Sequence, residues 1–317
     1  MKLAFWPGIA GREIEARLRE IPRVELTIAE NAGQLGDAAA DIEALVIGDH
    51  FFDANVAEVL RARAKRLRFI QSFTAGYEGL QIHGVPPGVV IANAGDSWSP
   101  AVAEHGMALL LALVKCLPHV LANQQLHKWE RSHAKRMGTL EGSTLAVVGF
   151  GSIGREFARR AKVFGMHIVG LTRSAKLDPL ADEMRPISEL NAVLARADVV
   201  LIAVPYSKAT EHMIGAGQLA ACKRGALLIN LARGGLVDSA ALGAALKSGQ
   251  LGGAGTDVTD PEPLPAGDPL WDCPNLIITP HVAGASGPIG RNRLAGFVAA
   301  NVARFVAGEP VTHVVTL

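Results

Sequence analysis

Short apolar runs alternate along this chain with stretches whose apolar residues recur at helical spacing. In residues 1–95 the runs Leu3–Trp6, Val24–Ala29, Ala44–Gly48, Arg68–Phe73 and Val89–Ala92 predict strands. Ile9–Arg19 and Asn55–Ala64 predict helices between them, with shorter polar links elsewhere. Strand alternating with helix predicts a parallel sheet covered on both faces. Asp96–Pro100 is a polar break with helix-start chemistry, Ser99 as N-cap and Pro100 at the first position. Ala101–Val114 follows as a long, mostly apolar helix, expected to be buried between domains, with Glu104 and His105 in its first turns. Asn123–Gly138 is polar and basic and reads as an exposed connection.

The pattern then sharpens. Leu145–Val148 is an apolar run that meets Gly149, Gly151 and Gly154 at GxGxxG spacing, with Ser152 and Ile153 between the last two glycines. An amphipathic stretch follows, carrying Ile153, Phe157, Ala161 and Phe164 on one face, and then a second short strand, His167–Leu171. Strand, glycine turn, helix and strand in that order make up a dinucleotide-binding unit. Gly149 permits the tight turn, Gly151 lets backbone approach a pyrophosphate, and Gly154 lets helix pack on strand. The pyrophosphate would rest on free N–H groups at the helix N-terminus.

Downstream, helix Ile187–Arg196, strand Asp198–Val204, helix Gly217–Cys222 and strand Ala226–Asn230 continue the alternation. Helix Ser239–Lys247 and strands Gly253–Val258 and Leu276–Thr279 complete it. A last helix, Ile289–Val306, and a short strand, Thr312–Val315, have no room in that sheet and should cross back onto the first domain. The expectation is an α/β protein of two doubly wound parallel-sheet domains. A Rossmann cofactor domain, 98–284, is inserted in a flavodoxin-like substrate domain made of 1–97 and 285–317.

Composition narrows the partners. Across 317 residues, 31 basic side chains almost cancel 30 acidic ones, which gives no electrostatic reason to expect nucleic acid or a membrane surface. The longest apolar run, Met107–Val114, is too short to span a bilayer. The N-terminus, M-K-L-A-F-W-P-G, reads as a first strand and turn rather than a signal peptide. Cys116, Cys222 and Cys273 are far apart and odd in number, which fits a reducing, cytoplasmic location. His127 and His133 have no carboxylate or cysteine cluster beside them, so no metal site is expected.

Three strand ends of the second domain carry an ionisable side chain beside glycine or proline: Asn230–Gly235 with Arg233, Asp257–Pro263 with Glu262, and Thr279–Gly284 with His281. In a doubly wound sheet these loops open onto the same edge as the glycine turn. Reducing a 2-keto acid needs a cation for the carboxylate and a proton donor for the carbonyl oxygen. It also needs a carboxylate that orients the donor and favours its charged form. Taken singly, Arg233 and Glu262 could be surface charges and His281 a turn residue; on successive strand ends they make a catalytic set.

With G-F-G-S-I-G, N-L-A-R-G-G-L-V-D, D-V-T-D-P-E-P-L and P-H-V-A-G in order, the chain resembles the D-isomer-specific 2-hydroxyacid dehydrogenases over nearly its whole length. The helix A-V-A-E-H-G-M-A-L-L-L-A-L is similar to that family's interdomain helix. The resemblance implies Arg233 as anchor of the substrate carboxylate and carbonyl, His281 as general acid/base and Glu262 as its partner. It implies that backbone N–H groups around Ala75 and Gly76 hold the carboxylate. Asp257 would hold the nicotinamide amide, with Val204, Pro205, Leu231, Ala232, Ala283 and Gly284 packing nearby. Formate dehydrogenases share the fold but lack the glutamate partner, so Glu262 argues against that branch. Apart from the resemblance, Phe51 follows a strand end and is a candidate substrate contact, with Phe52, Phe73, Tyr77 and Trp98 hinting at an apolar pocket; the alternative for these rings is plain packing.

One departure concerns the cofactor. An NAD-selective relative would carry Asp near position 172, and here the residues are Thr172, Arg173 and Ser174. An arginine and two hydroxyls suit a 2′-phosphate, and no carboxylate repels it. The expectation is NADP, with NAD possible, and a small 2-keto/2-hydroxy acid of the glyoxylate or hydroxypyruvate type. A homodimer is expected. The rivals are phosphite oxidation, which the same Arg, Glu and His would serve, and a dinucleotide-sensing corepressor. The latter ranks low, because no extra tail or charged arm is seen.

Overall fold

Five of the N-terminal apolar runs form one parallel sheet in the computed structural model, which describes Met1–Leu317. The strands are β1 (Lys2–Phe5), β2 (Glu25–Ile28), β3 (Ala44–Ile47), β4 (Phe69–Ser72) and β5 (Val90–Ala92), in the spatial order β2-β1-β3-β4-β5. This is the flavodoxin-like order. Every residue of β3 and β4 is buried, as parallel strands covered on both faces require. On one face, helices Gly11–Arg19 and Gly287–Ala307 bring Ile14, Leu18, Leu294, Val298 and Val302 onto Leu3, Phe5 and Phe69. Each such fully buried aliphatic side chain contributes about 1.5–3 kcal/mol. The other face is closed by Leu35, Val56, Ala57 and Leu60.

The C-terminal helix is also tied by polar contacts. Asn301, 1 % exposed, donates to the Gln71 side chain and the Thr312 carbonyl, both at 2.9 Å, and accepts from the Thr312 amide and hydroxyl, each at 3.0 Å. Thr312–Val315 is not a strand. It makes a single antiparallel bridge, Val314 to Ala92, with Val315 donating to the Ile91 carbonyl. Asn93 also donates to the His313 carbonyl, while Thr312, at the start of the segment, is bonded to Asn301.

Seven strands form a second parallel sheet: β6 (Thr144–Val148), β7 (His167–Thr172), β8 (Glu183–Pro186), β9 (Val199–Ile202), β10 (Ala226–Asn230), β11 (Leu251–Thr256) and β12 (Leu276–Ile278). The order β8-β7-β6-β9-β10-β11-β12 is the dinucleotide-fold arrangement with a seventh strand added. By contacts the chain divides into two compact units, Met1–Trp98 with Ser286–Leu317, and Ser99–Ala285.

Strand β8 has no apolar signal, being E-M-R-P. As an edge strand it pairs on one side only and shows its charges to solvent. Glu183 there accepts hydrogen bonds from Arg196, Arg185 and His167, which hold its carboxyl far below the ordinary range. The helix expected over Ile187–Arg196 is accordingly shorter, a single 3-10 turn at Ile187–Glu189 and a helix at Leu190–Leu194.

Helices Ala32–Ala38, Glu78–His83 and Leu117–Gln125 went unmarked by the pattern; the first two are only seven and six residues long, and the third buries none of its residues, so no apolar face marks it. Helix Ser99–Val114 begins one residue earlier than expected, with Ser99 inside it, and its Leu109 packs on Gly255 of β11. Along 117–137, Leu117, Val120, Leu121, Leu126 and Met137 are exposed and Trp129 is 97 % exposed. No single helix is long and apolar enough to cross a membrane.

Candidate active site

Because all strands of the second sheet are parallel, the loops that leave β6, β7, β9, β10, β11 and β12 emerge at one edge. That edge carries the glycine turn, Thr172 to Ser174, Val204 and Pro205, Leu231 to Arg233, Asp257 to Glu262, and His281 to Gly284.

The glycine turn fits a dinucleotide by its sterics. Gly149 has φ +97, and an added Cβ would stand 2.4 Å from the Ala203 carbonyl oxygen. At Gly154 a Cβ would stand 2.2 Å from the Gly149 oxygen, so only glycine lets helix Ser152–Val163 start this close to β6. Gly151 has nothing within 4 Å of where its Cβ would be, and it is the N-cap without a side-chain acceptor. The first-turn amides at Ser152 and Ile153 thus have no side-chain cap, which leaves the helix N-terminus able to take an anion. Val204 packs against this turn, Pro205 is exposed, and Leu231 and Ala232 are buried.

At the end of β7 the Thr172 hydroxyl accepts from the Ala175 amide at 3.0 Å and so shapes the turn, keeping its proton to donate elsewhere. Arg173 and Ser174 are exposed. Beyond them Asp178 is salt-bridged to Arg155 in the first turn of the glycine-turn helix, which pins this loop to it.

The reacting groups are held by backbone and buried polar contacts. Asn230, 2 % exposed, donates to the Arg233 carbonyl at 3.0 Å and accepts from the Ala232 amide at 3.1 Å, stapling the loop that presents Arg233. Glu262 accepts from the Thr259 amide at 3.0 Å on one oxygen and pairs with His281 Nδ1 at 2.8 Å on the other. With Nδ1–H donated to the carboxylate, Nε2 is the ring nitrogen left to give or take a proton.

His281 has φ 53, in the left-handed region, where a non-glycine residue persists only if its surroundings hold it. Asp257 supplies the hold. Its carbonyl accepts from the His281 amide at 2.8 Å, and its carboxylate accepts from the Val282 and Ala283 amides at 2.9 and 2.8 Å. The Thr279 hydroxyl donates to the same carboxylate at 2.6 Å. Asp257 was expected to serve a nicotinamide amide; the structure commits most of its lone pairs to the His281 turn. Both Asp257 and Asn230 head strand-end loops that the sequence singles out, but the hydrogen bonds that give them this structural work are seen only in the folded chain.

Phe51 follows β3, is half-buried and stacks on Trp6 at 5.4 Å, whereas Phe52 and Phe73 are buried core residues. Ala75 and Gly76 follow β4. The carbonyls of Phe73, Thr74, Ala75 and Gly76 accept from Trp98, Ala94, Asn93 and the Thr74 hydroxyl, respectively. The amides of Ala75 and Gly76 donate to no protein acceptor.

Against known families, residues 107–283 match the model of the D-isomer specific 2-hydroxyacid dehydrogenase NAD binding domain. The chain belongs to the D-isomer specific 2-hydroxyacid dehydrogenase family. It is 34 % identical over 310 residues to a glyoxylate reductase of Pyrococcus furiosus, covering 94 % of this chain and 86 % of that one. It spans only about half the length of the D-3-phosphoglycerate dehydrogenases it matches. Among solved structures, a family member from Aeromonas salmonicida superposes with TM-score 0.88 at 30 % identity, covering 99 % and 98 % of the two chains. An NADPH-dependent glyoxylate/hydroxypyruvate reductase from Sinorhizobium meliloti, solved with NADP and sulfate, gives TM-score 0.83 at 25 % identity with the same coverage.

Proposed function

We propose that this chain interconverts a small 2-keto acid and the D-2-hydroxy acid, with NADP(H) preferred over NAD(H), on substrates of the glyoxylate or hydroxypyruvate type. The observation that carries this reading is the Glu262–His281 pair at 2.8 Å, on a strand end adjacent to the one that presents Arg233. The names of the Pyrococcus and Sinorhizobium relatives support the substrate class, and the NADP held by the latter supports the cofactor.

In this reading the amides after Gly151 hold the pyrophosphate, Thr172, Arg173 and Ser174 the 2′-phosphate, and Val204, Pro205, Leu231, Ala232, Asp257, Ala283 and Gly284 surround the nicotinamide end. When bound, the nicotinamide supplies or accepts the hydride. Arg233 binds the substrate carboxylate and carbonyl through its planar fork. The amides of Ala75 and Gly76 are further donors for the carboxylate, and Phe51 lines the substrate site. His281 donates a proton from Nε2 to the carbonyl oxygen during reduction and takes it back during oxidation. Glu262 keeps the ring oriented and offsets its positive charge.

The exposed apolar side chains along 117–137, Trp129 above all, support a homodimer through that segment. Three buried free cysteines support a reducing, cytoplasmic setting.

NADPH and NADH oxidation against a panel of 2-keto acids tests the reading. Glyoxylate or hydroxypyruvate should be turned over, and His281→Ala should lower kcat about 10²–10⁴-fold while leaving cofactor affinity nearly intact. NADPH should exceed NADH by about tenfold or more in kcat/KM, the worth of one charged hydrogen bond from Arg173. Turnover of no 2-keto acid would refute the activity; equal use of the two cofactors would refute only the preference.

A further inference from the structure

The helix Ser99–Val114 lies along β11 in a register set by glycine. A Cβ at Gly253 would stand 3.1 Å from Leu113 Cδ2, and one at Gly255 would stand 2.9 Å from Leu109 Cβ. Each helical turn, about 5.4 Å, advances nearly two strand residues of about 3.3 Å. One turn before Leu109 is His105, and two residues beyond Gly255 is Asp257.

The contacts agree with that register. His105 Nε2 lies 2.9 Å from the Thr279 hydroxyl oxygen, which lies 2.6 Å from Asp257 Oδ1. Thr279 has one hydroxyl proton, and the carboxylate accepts only. The hydroxyl therefore donates to Asp257, and His105 donates to the hydroxyl through Nε2–H. Asp257 is 2 % exposed, and its carboxylate holds the two amides that follow His281. A carboxylate held on one side by amides and on the other by a chain of oriented donors cannot swing away from the turn.

We infer that His105 is a positioning residue: through Thr279 it fixes the Asp257 carboxylate, which in turn fixes the left-handed backbone at His281. The effect on rate rests on His281 being the acid of the proposed reaction; the effect on geometry does not.

The test uses His105→Leu, His105→Gln, Thr279→Val and the Leu/Val double variant in the full chain. His105→Leu should lower kcat about tenfold through misplacement of the acid, with cofactor KM nearly unchanged. Glutamine can place an N–H donor where Nε2 stands and should restore most of the loss. The double variant should be no worse than the poorer single one, because both break the same chain of bonds.

The second readout is the amide resonances of Val282 and Ala283 without cofactor. They should move upfield in His105→Leu and stay near wild type in His105→Gln. Should His105→Leu fold poorly, Thr279→Ser against Thr279→Val asks the same question at the next link. Wild-type kcat and unmoved amides in His105→Leu, or glutamine as poor as leucine, would overturn the inference. Full activity in His281→Ala would overturn the acid assignment instead, while the amide shifts still report on His105.

Discussion

Gly234 follows Arg233 directly and is buried beneath the loop that carries Glu262. A Cβ added there would stand 2.0 Å from the Thr259 carbonyl carbon, 2.1 Å from its oxygen and 2.5 Å from the Asp260 nitrogen. Carbon atoms at rest are about 3.5–4.0 Å apart, so Gly234→Ala must push backbone apart by about 1.5 Å. No flexible side chain can absorb this, because all three atoms are main chain. Thr259 also donates its amide to Glu262, so the displacement is passed to the carboxylate.

A shift of that size takes the 2.8 Å Glu262–His281 contact beyond hydrogen-bonding range. Misplacement of about 1 Å costs on the order of 10²-fold in rate, and overpacking costs about 1–3 kcal/mol of stability. The expected result is kcat for 2-keto acid reduction lowered about 100-fold and a lower melting temperature, with cofactor affinity nearly unchanged. Cofactor binding by fluorescence, steady-state kinetics and a thermal melt read these separately. Wild-type kcat in a variant shown to fold would refute the argument that this glycine sets the distance between the two loops.

Arg233→Lys should raise substrate KM and lower kcat together, by about 10–150-fold in kcat/KM, since a point charge replaces a planar fork; full activity would remove the two-point reading. Glu183 is held below its ordinary value of 4.5, first by Arg196 and then by His167 and Arg185. Its contacts therefore stabilise fully above that pH and progressively less as pH falls toward the depressed value. Glu183→Gln should cost about 1 kcal/mol near neutral pH, with the gap to wild type closing in urea melts below about pH 4.5; a gap that widens on acidification would refute this. Burial pushes the Cys222 thiol up to about 11. A thiol reagent should thus leave Cys222 unlabelled in the native protein and label it after unfolding, as peptide mapping would show; fast native labelling would contradict the burial.

The chain's own pattern determined much of this protein. A parallel strand covered on both faces is mostly apolar, so β3, β6 and β9 are legible as runs, as are β4 and β10 although they end in buried Gln71, Ser72 and Asn230. The glycine turn is legible because only glycine tolerates those approaches. Edge strand β8 was hidden, since an edge needs no apolar run, and so was helix Leu117–Gln125, which buries none of its residues and so has no apolar face. In the candidate site, Arg233, Glu262 and His281 could be picked out as ionisable groups beside chain-turning residues. What only the tertiary structure decided is how they are held. The Glu262–His281 bond spans 19 residues, the Thr279–Asp257 bond 22, and the His105–Thr279 bond 174. Separations of that kind leave no local trace, because the parallel sheet, and not the neighbouring residues, brings those atoms within reach.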